Sequence, residues 1–255
     1  MKWTRYFPWL LLLIIGIACI SSYAEWRESG AVWHKFGVND RAVLCVPESD
    51  MDPVLLNQND ESTDLHVGSG RTPGFGFLFG QEKMEADFQN FHIVPKFEGH
   101  PYVNALSGSI GFVGPDDQNR LGPSMRARNI ADAWYSKGEC SRAVIRPLAG
   151  TNLFKVKCSA EDKYASIWDR PPDSRKQMPN PNEFVVATCD YADIQIGPYA
   201  GNTLRNCSRI MIVDGFILDY EIQEQNLGLV EQIDLMLKRK IVEWERNCQI
   251  NGRKE

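Results

Sequence analysis

Apolar and polar residues alternate along much of this chain with a two-residue period, the signature of half-buried strands. Phe75, Phe77 and Phe79 fall on one face of a short run bounded by glycines. Lys155 and Lys157 interleave with Phe154, Val156 and Cys158, as in an antiparallel strand with one wet face. With the run at 141–146 they predict a hairpin around Gly150. Runs at 41–46, 164–168 and 184–189 add strands, and Phe91-His92-Ile93-Val94 and residues 102–113 extend the β character. Residues 207–213 and 216–222 flank Asp214-Gly215, a strong two-residue hairpin signal.

The period changes to three and four residues near the end. Leu229, Val230, Ile233, Met236, Leu237, Ile241 and Trp244 form one apolar stripe, which predicts a long amphipathic helix over 227–247. Glu231, Asp234, Lys238, Arg239 and Glu243 are expected on its outer face, and Cys248 is placed to staple its end. A shorter helical spacing (Met125, Ala127, Ile130, Ala131, Trp134) follows Pro123-Ser124. Polar residues at 47–64 and four prolines within 170–182 mark loops. The expected class is α+β: antiparallel sheet, a long C-terminal amphipathic helix and few other helices. The expected division is a leader at 1–24, a β-rich subdomain at 25–138 and an α+β subdomain at 139–255.

The leader changes what composition means. Lys2 and Arg5 precede an apolar run at 10–20, and Ser22 and Ala24 supply small residues for a peptidase. The run is shorter than the roughly 20 apolar residues of an ordinary membrane span. It predicts secretion, cleavage after Ala24 and a periplasmic mature chain beginning at Glu25. Two alternatives stay open, retention as an anchor and lipidation of Cys19, since Gly16-Ile17-Ala18-Cys19 loosely resembles a lipobox. A membrane is a partner only in those two cases.

Without the leader, six cysteines remain: Cys45, Cys140, Cys158, Cys189, Cys207 and Cys248. An even number in an exported chain points to disulfides. Connectivity stays open, with Cys189 and Cys207 the expected pair because they lie on neighbouring strands joined by a short loop. The net charge of −5 falls to −7 when Lys2 and Arg5 leave, which disfavours nucleic acid as a partner and suits a basic partner surface.

Motifs for chemistry are weak. Gly68-Ser69-Gly70 and Ser107-Gly108-Ser109-Ile110-Gly111 do not complete a nucleophile elbow and read as turn or strand glycines. His34, His66, His92 and His100 lack the spacing of a helical metal pair, so neither metal nor cofactor is expected. The acidic stretch from Asp50 to Glu61 departs from the calcium-loop spacing. Asp219 and Glu221 share one strand face, with Tyr220 on the other. The proline-rich loop carries Trp168, Arg170, Arg175 and Lys176, residue types from which binding hot spots are built, and these are the expected partner-binding residues.

The C-terminal segment combines Phe184-Val185-Val186-Ala187-Thr188-Cys189, Cys207-Ser208-Arg209-Ile210-Met211-Ile212, a short turn, Phe216-Ile217-Leu218-Asp219-Tyr220, and a helix with Ile233 and Trp244. From Phe184 to Cys248 it resembles the end of periplasmic immunity proteins that neutralise type VI secretion effectors, particularly phospholipase toxins. The resemblance implies no catalytic residues. It implies stoichiometric binding to a cognate protein toxin at its active-site cleft, and the acidic net charge is expected to supply a rim that steers the encounter. The alternatives are an exported hydrolase with an unrecognised carboxylate or metal site, and an envelope accessory protein.

Overall fold

The computed structural model describes residues 33–38, 42–53, 75–112, 144–158, 163–170, 183–195 and 197–251. Within them, β1 (Trp33–Val38) and β2 (Ala42–Pro47) form a two-stranded antiparallel sheet. The other strands are β3 (Phe75–Phe79), β4 (Leu106–Phe112), β5 (Val144–Pro147), β6 (Phe154–Lys157), β7 (Tyr164–Trp168), β8 (Val185–Asp193), β9 (Thr203–Val213) and β10 (Phe216–Gln223). They make one sheet in the order β3-β4-β10-β9-β8-β7-β6-β5, antiparallel throughout. A short helix α1 (Gln81–Asp87) follows β3, and the long helix α2 (Val230–Asn251) closes the fold after 3-10 turns at Glu224–Leu229. The arrangement is α+β with the sheet dominant. The boundary expected at 138/139 does not separate two sheets, because β3 and β4 join the strands of the second half through β10.

Alternation decides which face packs. Phe75, Phe77 and Phe79 of β3, Ile110 of β4 and Leu218, Tyr220 and Ile222 of β10 are all buried, against Ile233, Met236, Leu237, Ile241 and Trp244 of α2. The Phe75 and Trp244 rings meet edge to face with centroids 5.6 Å apart. Gly108 of β4 sits opposite both Tyr220 and Phe77 in register. A Cβ there would stand 2.5 Å from the Asp219 carbonyl oxygen and 2.6 Å from the Phe77 ring, so the position requires glycine for space. The β9–β10 hairpin turns on Asp214 (φ 49°) and Gly215 (φ 87°), both in the left-handed region that a tight primed turn demands.

Three polar anchors fix α2 to what it covers. Asp50 accepts from Lys240 Nζ (3.0 Å) and from Trp244 Nε1 (3.2 Å) through Oδ2. A disulfide joins Cys45 of β2 to Cys248 of α2, stapling the helix to the smaller sheet. Asp234 points inward, not to solvent as the helical pattern predicts. Its carboxylate accepts from Arg209 Nε and Nη2 (3.0 and 2.6 Å) and from the Tyr220 hydroxyl (2.7 Å). Arg209 also donates through Nη1 to the Val186 carbonyl at 2.7 Å, so the pair ties α2 to β8, β9 and β10.

Phe91–Val94 is not a strand. Its backbone finds side-chain partners instead of a neighbouring strand: the His92 N–H and C=O bond to the Asn226 amide (2.7 and 3.0 Å), and the Val94 N–H donates to Asn104 Oδ1 (2.9 Å). Two buried asparagines thus satisfy the backbone of an irregular segment that runs from buried Phe91 to exposed His92. The helix expected at 125–135 lies outside the described residues, as do 54–64 of the polar loop and 171–182 of the proline-rich one.

Candidate partner-binding face

The helix-bearing side of the sheet extends past the 3-10 turns onto β8, β7, β6 and β5. Register determines what this extension displays. Tyr191 pairs with Arg205, and Arg146 pairs with Lys155, while Lys157 lies two residues along the same strand. By strand alternation these five side chains share one face. Lys155 and Lys157 hold their ammonium groups 4.8 and 4.7 Å from the centre of the Tyr191 ring. Two cations on one ring is an arrangement in which each contact contributes about 0.5–1 kcal/mol, more when desolvated.

Glu224, first residue of the 3-10 turns and buried, pairs with Lys155. Burial pushes the Tyr191 phenol far above its ordinary range, with the Glu224 carboxylate adding to the rise and Arg205 opposing it. Tyr191 is therefore a neutral hydroxyl at any physiological pH. Its oxygen and Glu224 Oε2 are both buried beneath the two lysines. The face offers a rigid aromatic and four cations, of which Lys155 is paired with Glu224. Such a set recognises carboxylates and suits a protein surface, arginine and lysine supplying charge and the ring supplying area.

The opposite side of the sheet carries the reverse charge. Asp190, Asp219 and Glu221 share it, on β8 and β10. Ser208 Oγ donates to Asp219 at 2.8 Å, Asn206 donates to Glu221, and Gln223 donates to Asn206 at 3.3 Å. Burial raises the Glu221 carboxyl above its usual range, and Asp219 and Asp190 raise it further, while the Asn206 bond opposes them. Asp219 and Glu221 share this face as their spacing predicts. Among the described residues no group of three or more His, Cys, Asp and Glu is placed to hold a metal ion. His100 is occupied with its own turn, its Nδ1 accepting from the Tyr102 and Val103 N–H groups at 3.2 and 3.3 Å.

Of the residues expected at a binding loop, Trp168 is not on the loop. It ends β7 fully buried (0% exposed), donates to Ser166 Oγ at 2.7 Å, and packs edge to face on Phe184. Arg170 is exposed and bonds to Asp169 (2.7 Å) and to the Glu183 carbonyl (2.9 Å). Arg175 and Lys176 lie outside the described residues. Cys189 and Cys207 sit directly opposite each other on β8 and β9, joined by a disulfide two residues from Tyr191 and Arg205. Cys158, at the end of β6, is disulfide-bonded as well. Sequence reasoning marked Lys155 and Lys157 as a wet strand face but missed Tyr191, Arg205 and Glu224, which come from three other segments.

No family model matches the chain, and no curated protein matches it. Among solved structures it is similar to Smlt3025, an immunity protein of the Stenotrophomonas maltophilia type IV secretion system, at 10% identity and a TM-score of 0.38, over 84% of this chain and 92% of that one. Likeness of that degree fixes neither a shared fold nor a shared role.

Proposed function

We propose that this chain is an exported binding protein that neutralises a secreted antibacterial toxin by stoichiometric capture. The observation that carries the reading is the Tyr191 face, where Lys155 and Lys157 flank one ring beside a cross-strand disulfide. A sheet pinned in this way loses little freedom on binding, so more of each contact appears as affinity. Disulfides form and persist outside the reducing cytosol, which supports a periplasmic site of action, free or tethered through Cys19. The finer identity proposed for the partner is a type VI effector of lipase chemistry. The chemistry of the face adds that the captured surface is acidic. That reverses the steering expected from net charge, because a partner meets a local face before it meets an average.

The test is to mix the mature protein with the candidate toxin encoded beside its gene. A one-to-one complex by size-exclusion chromatography and loss of toxin activity are expected. Lys155→Glu combined with Lys157→Glu should weaken binding roughly a hundredfold, as for removal of charged hot-spot contacts. If equimolar protein leaves every neighbouring toxin active and uncomplexed, the reading is wrong. A second reading, an exported hydrolase, draws on the raised Glu221 carboxyl beside Asp219. A hydrolytic activity that Glu221→Gln abolishes would establish it instead.

A further inference from the structure

We infer that the outer face of α2 is a docking surface for an acidic amphipathic helix of a partner protein, a contact separate from the Tyr191 face and independent of the toxin reading. Leu235 and Val242 stand seven residues apart on the helix, two turns along one side, and are 58% and 47% exposed. Both are large aliphatic side chains that α2 does not turn toward the sheet. Lys238, Arg239, Glu243 and Arg246 lie with them along an open groove of about 750 Å³. Glu243 shares Lys240 with Asp50, at 3.2 and 3.0 Å, so the groove presents three cations against one carboxylate. Arg239 donates through Nε to the Leu235 carbonyl at 3.3 Å, which lays its guanidinium along the helix beside the leucine.

The helix dipole does not account for the cluster. It favours cations in the last turn, and the last turn of α2 has no basic residue. Nor does it account for the two aliphatics between the cations. Leu235 and Val242 recur at the heptad step that forms one line of a helix-pair seam, Lys238 takes the alternate position between them, and three cations against one glutamate select an acidic partner. A second copy of this chain fits poorly. Two-fold pairing centred between Leu235 and Val242 apposes Lys238 of one copy with Arg239 of the other, like charge against like at the centre of the contact. A lipid surface fits poorly too, since two aliphatics without an aromatic give an interfacial helix little to insert.

The probe is a labelled synthetic peptide, helical, with leucines two turns apart and glutamates flanking them. Its binding to the mature protein is followed by fluorescence anisotropy beside a scrambled peptide of the same composition. The ordered peptide should bind at least tenfold tighter than the scrambled one, and salt should weaken it. Leu235→Asp and Val242→Asp should each cost roughly tenfold, the loss of one half-buried aliphatic contact. Arg239→Glu with Arg246→Glu should cost as much and reverse the salt dependence, and this pair keeps the test open if an apolar-site variant fails to fold. Equal binding of both peptides, or variants that bind like the parent, would overturn the inference. So would phosphatidylglycerol vesicles binding where the peptide does not, or a dimer by sedimentation that Leu235→Asp dissociates.

Discussion

Asp234→Ala should be among the most damaging single changes to this fold outside its cysteines. The substitution removes the acceptor for two Arg209 nitrogens and the Tyr220 hydroxyl. Arg209 would keep its bond to the Val186 carbonyl and remain a charge without a counter-ion. Breaking a buried pair in this way costs about 3–5 kcal/mol. Here the side chains retain 21% and 13% of their exposure, so water relieves part of the penalty and about 3 kcal/mol is expected. The Tyr220 phenol, held well above its usual range by burial and then by Asp234, stays protonated and adds a lost donor bond. Against a domain stability of roughly 5–15 kcal/mol this is a large fraction. Removing both charges should cost far less than the sum. Arg209→Met with Asp234→Leu and Tyr220→Phe replaces the network by apolar groups and should fall within about 1–2 kcal/mol of the parent. Urea melts read as a mutant cycle measure this directly. Single variants that each cost under about 1 kcal/mol, or single costs that add up to the combined one, would show that the network is solvated and carries little of the docking of α2.

Removing Cys45–Cys248 should destabilise more than removing Cys189–Cys207. The two close separations of 203 and 18 residues, about 5 against about 3 kcal/mol in the chain-entropy account, and paired alanine variants compared by chemical denaturation decide it. Gly108→Ala should cost about 3 kcal/mol or prevent folding, since the new Cβ meets backbone rather than a movable side-chain tip; a variant as heat-stable as the parent would contradict the close packing of β3, β4 and β10. Glu221→Gln should raise the melting temperature at about pH 7. A carboxyl with a raised folded pKa binds its proton better when folded, so stability falls as pH rises through that window, and the gain from glutamine should vanish below the unfolded value of about 4.3.

What the sequence reveals here follows the range of the forces involved. The Asp214-Gly215 hairpin, the Phe75–Phe79 face and the stripe of α2 are legible because each is set by neighbours two to four residues away. Asp234 is not. Within its helix it is one polar residue among others, and only the strand carrying Arg209, 25 residues earlier, turns it inward. Trp168 misleads for a similar reason. The prolines after it mark a loop, yet β7 holds the tryptophan to its last residue and Phe184 closes over it. Phe91–Val94 has strand composition, but its backbone is taken by Asn226, more than a hundred residues away. The candidate face shares this fate. Its two lysines show as an alternation, while Tyr191, Arg205 and Glu224 reach them only through sheet register and the turn before α2.

The chain's net charge is a poor guide to what it attracts, because the fold sorts charge by side. Arg146, Lys155, Lys157 and Arg205 lie on the helix-bearing side of the sheet, and Lys238, Arg239 and Arg246 on the helix that covers it. Asp190, Asp219 and Glu221 lie on the other. At physiological ionic strength charges are felt over about 8 Å, less than the thickness of a sheet with a helix packed on it. An acidic partner is therefore repelled weakly by the average of −5 and attracted by whichever side it meets within that distance, provided it is the helix side. The same sorting turns like-charged approach on the carboxylate side into a barrier. Orientation is selected before any contact forms, which is how a chain of modest acidity can hold an acidic partner in a single pose. Added salt should thus slow association while leaving dissociation nearly unchanged, whereas Leu235→Asp should act chiefly on dissociation of a bound helix. Salt and substitution acting on the same rate would mean that the charged face and the apolar seam are not the separate contacts their positions make them.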